Sequence, residues 1–160
     1  MNKVIIGCDP DSSKSGFAKY QNGKLISVEC LALVNAFYFF KAEQESCSEL
    51  GIELELHIEN VTGTSASFTA KDKRIPLSAK LKIARNIGQC EQAQIEIERI
   101  AKFFGIKVIR HGLSSMWKDS KTGKAALADL GWHGQSNEDS RSAAYFGYLG
   151  VKLDKTKNKA

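Results

Sequence analysis

No two cysteines of this chain form a Cys-x-x-Cys pair. Cys8, Cys30, Cys47 and Cys90 lie far apart, and His57, His111 and His133 share no ligand spacing with them. A zinc site is therefore not expected. Scattered thiols, with Cys8 and Cys90 inside apolar or amphipathic runs, read as reduced, structural residues of a cytoplasmic protein. Long hydrophobic runs are also missing, so no segment is expected to span a bilayer. The apolar stretch after Met1 is short and is broken early by Asp9-Pro10-Asp11, which argues against a signal peptide. Neither an internal repeat nor a dividing linker is visible.

What is present suits a single domain. A chain of 160 residues with 42% hydrophobic content can bury a core without disulfides. Its net charge of +5 points to a polyanionic partner, against the plainer reading of solvated lysines.

Val4 to Cys8 is an apolar run that reads as a buried strand ending in a turn. Gly16–Tyr20 and Lys24–Val28 flank Asn22-Gly23, whose residues both tolerate positive φ, so a hairpin is expected there. Residues 31–50 read as a helix stopped by Gly51. From Glu53 to Glu59 the alternation is strict, with Leu54, Leu56 and Ile58 on one face and Glu53, Glu55, His57 and Glu59 on a polar one. A polar segment over 62–76 precedes a long amphipathic helix over 78–104, with Leu81, Ala84, Ile87, Gly88, Ile95 and Ala101 broadly in phase. Ile106–Ile109 reads as a fifth strand. A long polar segment then runs to Gln135, and a last helix spans Asn137 to about Leu149. The order β-β-β-α-β-α-β-α predicts an α/β domain over 1–150, its mixed five-stranded sheet antiparallel at first and parallel later. Residues 151–160 read as a basic, flexible tail.

This topology can bring acids to one sheet edge: Asp9 ending the first strand, Glu59 ending the fourth, and Glu138 or Asp139 opening the last helix. Clustered carboxylates repel unless cations lie between them, and hard oxygen donors favour Mg²⁺ or Mn²⁺. Two such ions roughly 3.5–4 Å apart can serve phosphodiester hydrolysis. Each acid also has a bland reading. Asp9 suits a turn, Glu59 suits the polar face with Glu53 and Glu55, and Ser136-Asn137-Glu138-Asp139 is a capping-box pattern.

Ile5-Ile6-Gly7-Cys8-Asp9-Pro10-Asp11, followed by Lys14-Ser15-Gly16, resembles the opening strand and turn of RuvC-like Holliday-junction resolvases, especially phage and prophage members. His57-Ile58-Glu59-Asn60-Val61 resembles their second acidic strand, and Ile87-Gly88-Gln89 their glycine-containing helix. Ser115-Met116-Trp117-Lys118 and Lys121-Thr122-Gly123 resemble the segment before the last helix. Gly131 to Asn137, running into Arg141-Ser142-Ala143-Ala144, resembles the start of that helix. The match runs in order over nearly the whole chain. It implies an RNase H-like fold and a Mg²⁺- or Mn²⁺-dependent endonuclease with two ions per site, acting on four-way DNA junctions. It implies a homodimer through the helix at 78–104, and metal-binding acids at Asp9, Glu59 and Asp139. A fourth acid is expected three residues after the third, where this chain has Ser142. Glu138 or Asp11 is the available substitute.

Lys71, Lys73 and Arg74, near Phe68, form a basic loop. Its cations suit phosphates and its aromatic suits an unpaired base, whereas a solvated loop with a half-buried Phe is the alternative. Lys118, Lys121 and Lys124 precede the last helix; Lys118 is the candidate for neutralising charge at a scissile phosphate, and Lys121 for binding DNA. Phe37–Phe40 and Trp132 read as core or interface. The rival functions are a non-catalytic branched-DNA binder, another RNase H-like nuclease acting on flaps or RNA–DNA hybrids, and a basic scaffold protein.

Overall fold

In a computed structural model, residues 3–62 and 71–157 are described. The chain opens with three strands, β1 (Lys3–Asp9), β2 (Ser15–Gln21) and β3 (Lys24–Leu31). Asn22 and Gly23 both take positive φ, 52° and 77°, and close the β2–β3 hairpin where the sequence placed it. Helix α1 (Leu33–Leu50) ends on Gly51 at φ 64°, whose N–H returns to Cys47 and Ser48 carbonyls. Then come β4 (Glu53–Glu59), α2 (Leu77–Phe103) and β5 (Lys107–His111), followed by α3 (Ser120–Asp129) and α4 (Glu138–Lys157). The sheet order is β3-β2-β1-β4-β5, antiparallel across β3-β2-β1 and parallel across β1-β4-β5.

Strand parity sorts the core into two layers. Val4, Ile6 and Cys8 of β1, with Leu54, Leu56 and Ile58 of β4, pack under α1 and α2 against Phe40, Ile97 and Ala101. Ile5 faces the other way, with Ala18 and Tyr20, against Leu127 of α3 and Ala143, Ala144 and Val151 of α4. Gly7, Asp9, Glu55, His57 and Glu59 share this second parity. The polar face of β4 is therefore buried: Glu59 and His57 are each 2% exposed and Glu55 5%. The alternation reported which residues share a face; α4 decides that the face is covered.

Helix α4 lies unusually close to the sheet. A Cβ on Gly7 would overlap the Ala143 carbonyl and the Gly147 backbone, and one on Gly16 would overlap the backbone of Asp139. Tyr20 Oη donates to the Ala144 carbonyl at 2.7 Å. The small residues at both surfaces are what allow this approach.

Several sequence expectations need correction. The buried face of α2 carries Gln94, Ile97 and Ala101, whereas Leu81, Ala84, Gly88 and Ile95 are exposed. The long polar segment contains α3, capped by the Asp119 carboxylate accepting from the Lys121 and Thr122 N–H groups. The cap of α4 is Asn137 with Ser140, one residue later than the expected box: Ser140 N–H donates to Asn137 Oδ1, and Asn137 N–H to Ser140 Oγ. The last helix, expected to end near Leu149 with a flexible tail over 151–160, instead continues to Lys157, with Val151 buried and Asp154 paired to Lys3. Of the aromatic block, Phe39 and Phe40 pack on Phe17, while Tyr38 is exposed.

Candidate active site at the sheet edge

Adjacent parallel strands with Cys8 opposite Ile58 end together, and both terminal acids point to the α4 side. Asp9 and Glu59 therefore meet in a cleft of about 560 Å³, with Asp11, Lys118, Glu138 and Asp139 also on its walls. Helix α2 supplies Asn86, Ile87 and Cys90 to the opposite wall. Lys118 Nζ lies 3.3 Å from Asp9 Oδ2 and 3.5 Å from Glu59 Oε2. The other Glu59 oxygen, Oε1, accepts the Ser114 N–H at 2.9 Å.

Electrostatics here follow from crowding. Burial, and then the Glu59 carboxylate, push the Asp9 pKa up to about 7, while Lys118 and Ser142 pull it back. Asp139 is raised by burial and then by Asp11 and Glu138. Burial disfavours the Lys118 charge, but Asp9 and Glu59 outweigh it and raise its pKa. Ser142, at the position of the expected fourth acid, is fully buried beside Asp9. Its Oγ and Asp9 Oδ2 both lack a hydrogen-bond partner of ordinary geometry. An unpartnered hydroxyl and a carboxylate oxygen whose one close partner is the Lys118 ammonium, beside a second carboxylate, make a donor set that suits a hard cation. No group of three or more His, Cys, Asp or Glu side chains among the described residues surrounds a common point, so a cation would have to draw these acids together.

Lys118, a candidate from the sequence, is presented by a turn whose conformation and clamp the sequence did not reveal. Trp117 adopts φ 64°, a left-handed conformation rare for a large side chain. Arg141, buried on α4, holds the turn: Nε donates to the Trp117 carbonyl at 3.2 Å, Nη2 to that of Lys118 at 2.6 Å, and Nη1 to that of Ser136 at 3.3 Å. Gly123 is required beneath it, since a Cβ would meet the Arg141 side chain and the Trp117 carbonyl. Gln94 was also missed. Fully buried, it accepts the Val61 and Thr62 N–H groups and donates to Asn60 and Glu98, fixing the chain just after Glu59. A lone Gln on an amphipathic helix carries no signal of that role.

Among the described residues, the remaining candidates do not join the cleft. Lys71, Lys73 and Arg74 are exposed, and Arg74 is paired to Asp72 at 2.8 Å. Lys121 is exposed in the first turn of α3. Phe68 lies outside the described residues.

No protein-family model matches the sequence, and no curated protein does. Among solved structures, the chain is similar to Thermus thermophilus RuvC in complex with a Holliday junction substrate, with a TM-score of 0.59 and 12% identity over 96% of each chain. It is also similar to a second Thermus thermophilus RuvC structure, with a TM-score of 0.56 and 11% identity over 96% of each chain. At such identity the likeness concerns architecture. The chain has the RuvC-like form of the RNase H-like fold, a mixed five-stranded sheet flanked by helices.

Proposed function

We propose that this protein is a metal-dependent, structure-selective DNA endonuclease of the RuvC-like family that hydrolyses phosphodiester bonds at four-way junctions. The observation that carries the reading is the convergence of Asp9 and Glu59 on Lys118, in a cleft that Asp139 also lines. Asp9, Glu59 and Asp139 would hold Mg²⁺ or Mn²⁺, with Glu138 adding negative charge where the fourth acid is replaced by Ser142. When bound, such ions would supply activation of water and stabilisation of the leaving oxygen in phosphodiester hydrolysis. The protein's own part is positioning. Ser114 fixes the Glu59 carboxylate, α4 delivers Asp139, and the Arg141-held turn brings Lys118 to where it can neutralise a scissile phosphate.

Lys71, Lys73, Arg74 and Lys121 would contact phosphates, and Phe68 an unpaired base at the junction centre. Two symmetric cuts require two sites, so the acting form is a homodimer through α2. Exposure of Leu77, Leu81, Ile95 and Phe103 along that helix supports this. Among the described residues no helix is long and apolar enough to cross a membrane.

The deciding experiment is cleavage of a synthetic four-way junction, compared with flap, RNA–DNA hybrid and linear duplex, in Mg²⁺, Mn²⁺ and chelator. Selective, metal-dependent junction cutting supports the proposal, and preference for another substrate moves the chain to a different nuclease of this fold. A second reading, a branched-DNA binder with little activity, is favoured by Ser142. It predicts junction binding that falls steeply with salt but no cutting in either metal.

A further inference from the structure

Two oxygens at the sheet edge are engaged by no group but the Lys118 ammonium. Glu59 Oε1 is taken by the Ser114 N–H, leaving Oε2; Asp9 Oδ2 has no conventional hydrogen bond. The Lys118 ammonium sits against these same two atoms, at 3.5 and 3.3 Å. Both separations exceed the roughly 2.7–2.9 Å of a tight charge-assisted hydrogen bond, so the ammonium is near both carboxylates but locked to neither. Its backbone is fixed from behind by Arg141, on a turn whose Trp117 is already at positive φ. The mobile part is therefore the four-carbon stem, whose tip is partly exposed to the cleft.

From this geometry, and resting on the metal-dependent reading above, we infer that Lys118 is a resident counter-ion of Asp9 and Glu59 that competes with a divalent cation for their oxygens. One ammonium between two carboxylates offsets their repulsion while the site waits. A divalent ion bound to the same oxygens repels the ammonium, so the two cannot share the pair without cost. Lys118 then has to swing out, and a DNA phosphate in the cleft is an anion able to receive it. Metal binding and phosphate binding are thereby coupled through one side chain, each favouring the other.

The test is Mn²⁺ binding without DNA, followed by electron paramagnetic resonance of free Mn²⁺ and by calorimetry. Wild type is compared with Lys118→Met, Lys118→Gln and Lys118→Arg. Removing the charge in either neutral variant should tighten Mn²⁺ binding about tenfold, equivalent to ~1.4 kcal/mol. Lys118→Arg, which keeps the charge, should bind no more tightly than wild type. Adding Asp9→Asn to Lys118→Met should abolish the gain, which places the counted ion at the acid pair. Using two neutral variants separates loss of charge from any disturbance of the loop by methionine. Equal or weaker Mn²⁺ affinity in both neutral variants overturns the inference, even if the wild type cleaves junctions normally. The expected Mn²⁺ series in a protein that cuts no junction upholds the competition and sinks the nuclease reading instead.

Discussion

His57 stands two residues before Glu59 on the buried side of β4, and its titration should set how the fold responds to mild acid. Its Nδ1 lies 2.9 Å from His111 Nε2, its Nε2 lies 3.4 Å from Glu55, and Gly150 of α4 closes over the ring. Burial, against the opposing pull of Glu55, holds its pKa down from 6.5 to about 4. Between those values the unfolded chain binds the proton and the folded one does not, so stability present above pH 6.5 is lost as pH falls. The full loss is ~3 kcal/mol once pH is below both values. About 2 kcal/mol of it should be gone by pH 5, a large share of a domain's typical ~5–15 kcal/mol. Asp9 titrates in the opposite sense. Its folded pKa of about 7 lies above the ordinary 3.8, so protonation favours the folded state as pH falls through 7. Wild-type stability alone would therefore mix two cancelling slopes. The informative quantity is the difference between wild type and His57→Gln, which keeps a donor and an acceptor but does not titrate. By urea denaturation without added metal, that difference should shift by about 2 kcal/mol against wild type between pH 7 and pH 5. A difference that stays flat over this interval refutes the argument, because it would mean that His57 takes up its proton in the folded state near the ordinary value.

Asp9→Asn should abolish junction cleavage while leaving junction affinity equal or higher, since it removes a donor and a negative charge; cutting at the wild-type rate would show the site to be misassigned. Gly7→Ala should destabilise the fold by about 1–3 kcal/mol or more in urea, because the added methyl falls on α4 backbone rather than on a side chain able to move. A loss below ~0.5 kcal/mol, the range of ordinary surface changes, would mean that α4 is not seated against β1 as described. Wild type should cleave faster in Mn²⁺ than in Mg²⁺. Ser142→Asp, placing a carboxylate beside Asp9, should raise Mg²⁺-supported single-turnover cleavage about tenfold, or ~1.4 kcal/mol of barrier. A variant no faster than wild type would show that Glu138 or Asp11 already fills that role.

Local chemistry was legible wherever a residue acts through its own backbone or its immediate neighbours. Asn22-Gly23 specified the hairpin because positive φ is a property of those two residues, and Gly51 ended α1 for the same reason. The alternation of Glu53–Glu59 specified the strand and its parity, and with it the placement of Glu59 on the side shared by Asp9. What the pattern did not contain was the layer on top. A glutamate, a histidine and a second glutamate at alternate positions look like a solvated face until a helix of small residues, Ala143, Gly147 and Gly150, comes down on them. The buried side of α2 was misread likewise, since Gln94 is drawn inside by the Val61 and Thr62 amides, partners distant in sequence. Short α3, rich in alanine and set among polar residues, left too weak a periodicity to separate it from a loop. The acids Asp9, Glu59 and Asp139 were readable as residue types at element ends. That Lys118 stands between two of them, on a turn held by Arg141, follows from three carbonyls and two carboxylates that converge only when the chain is folded.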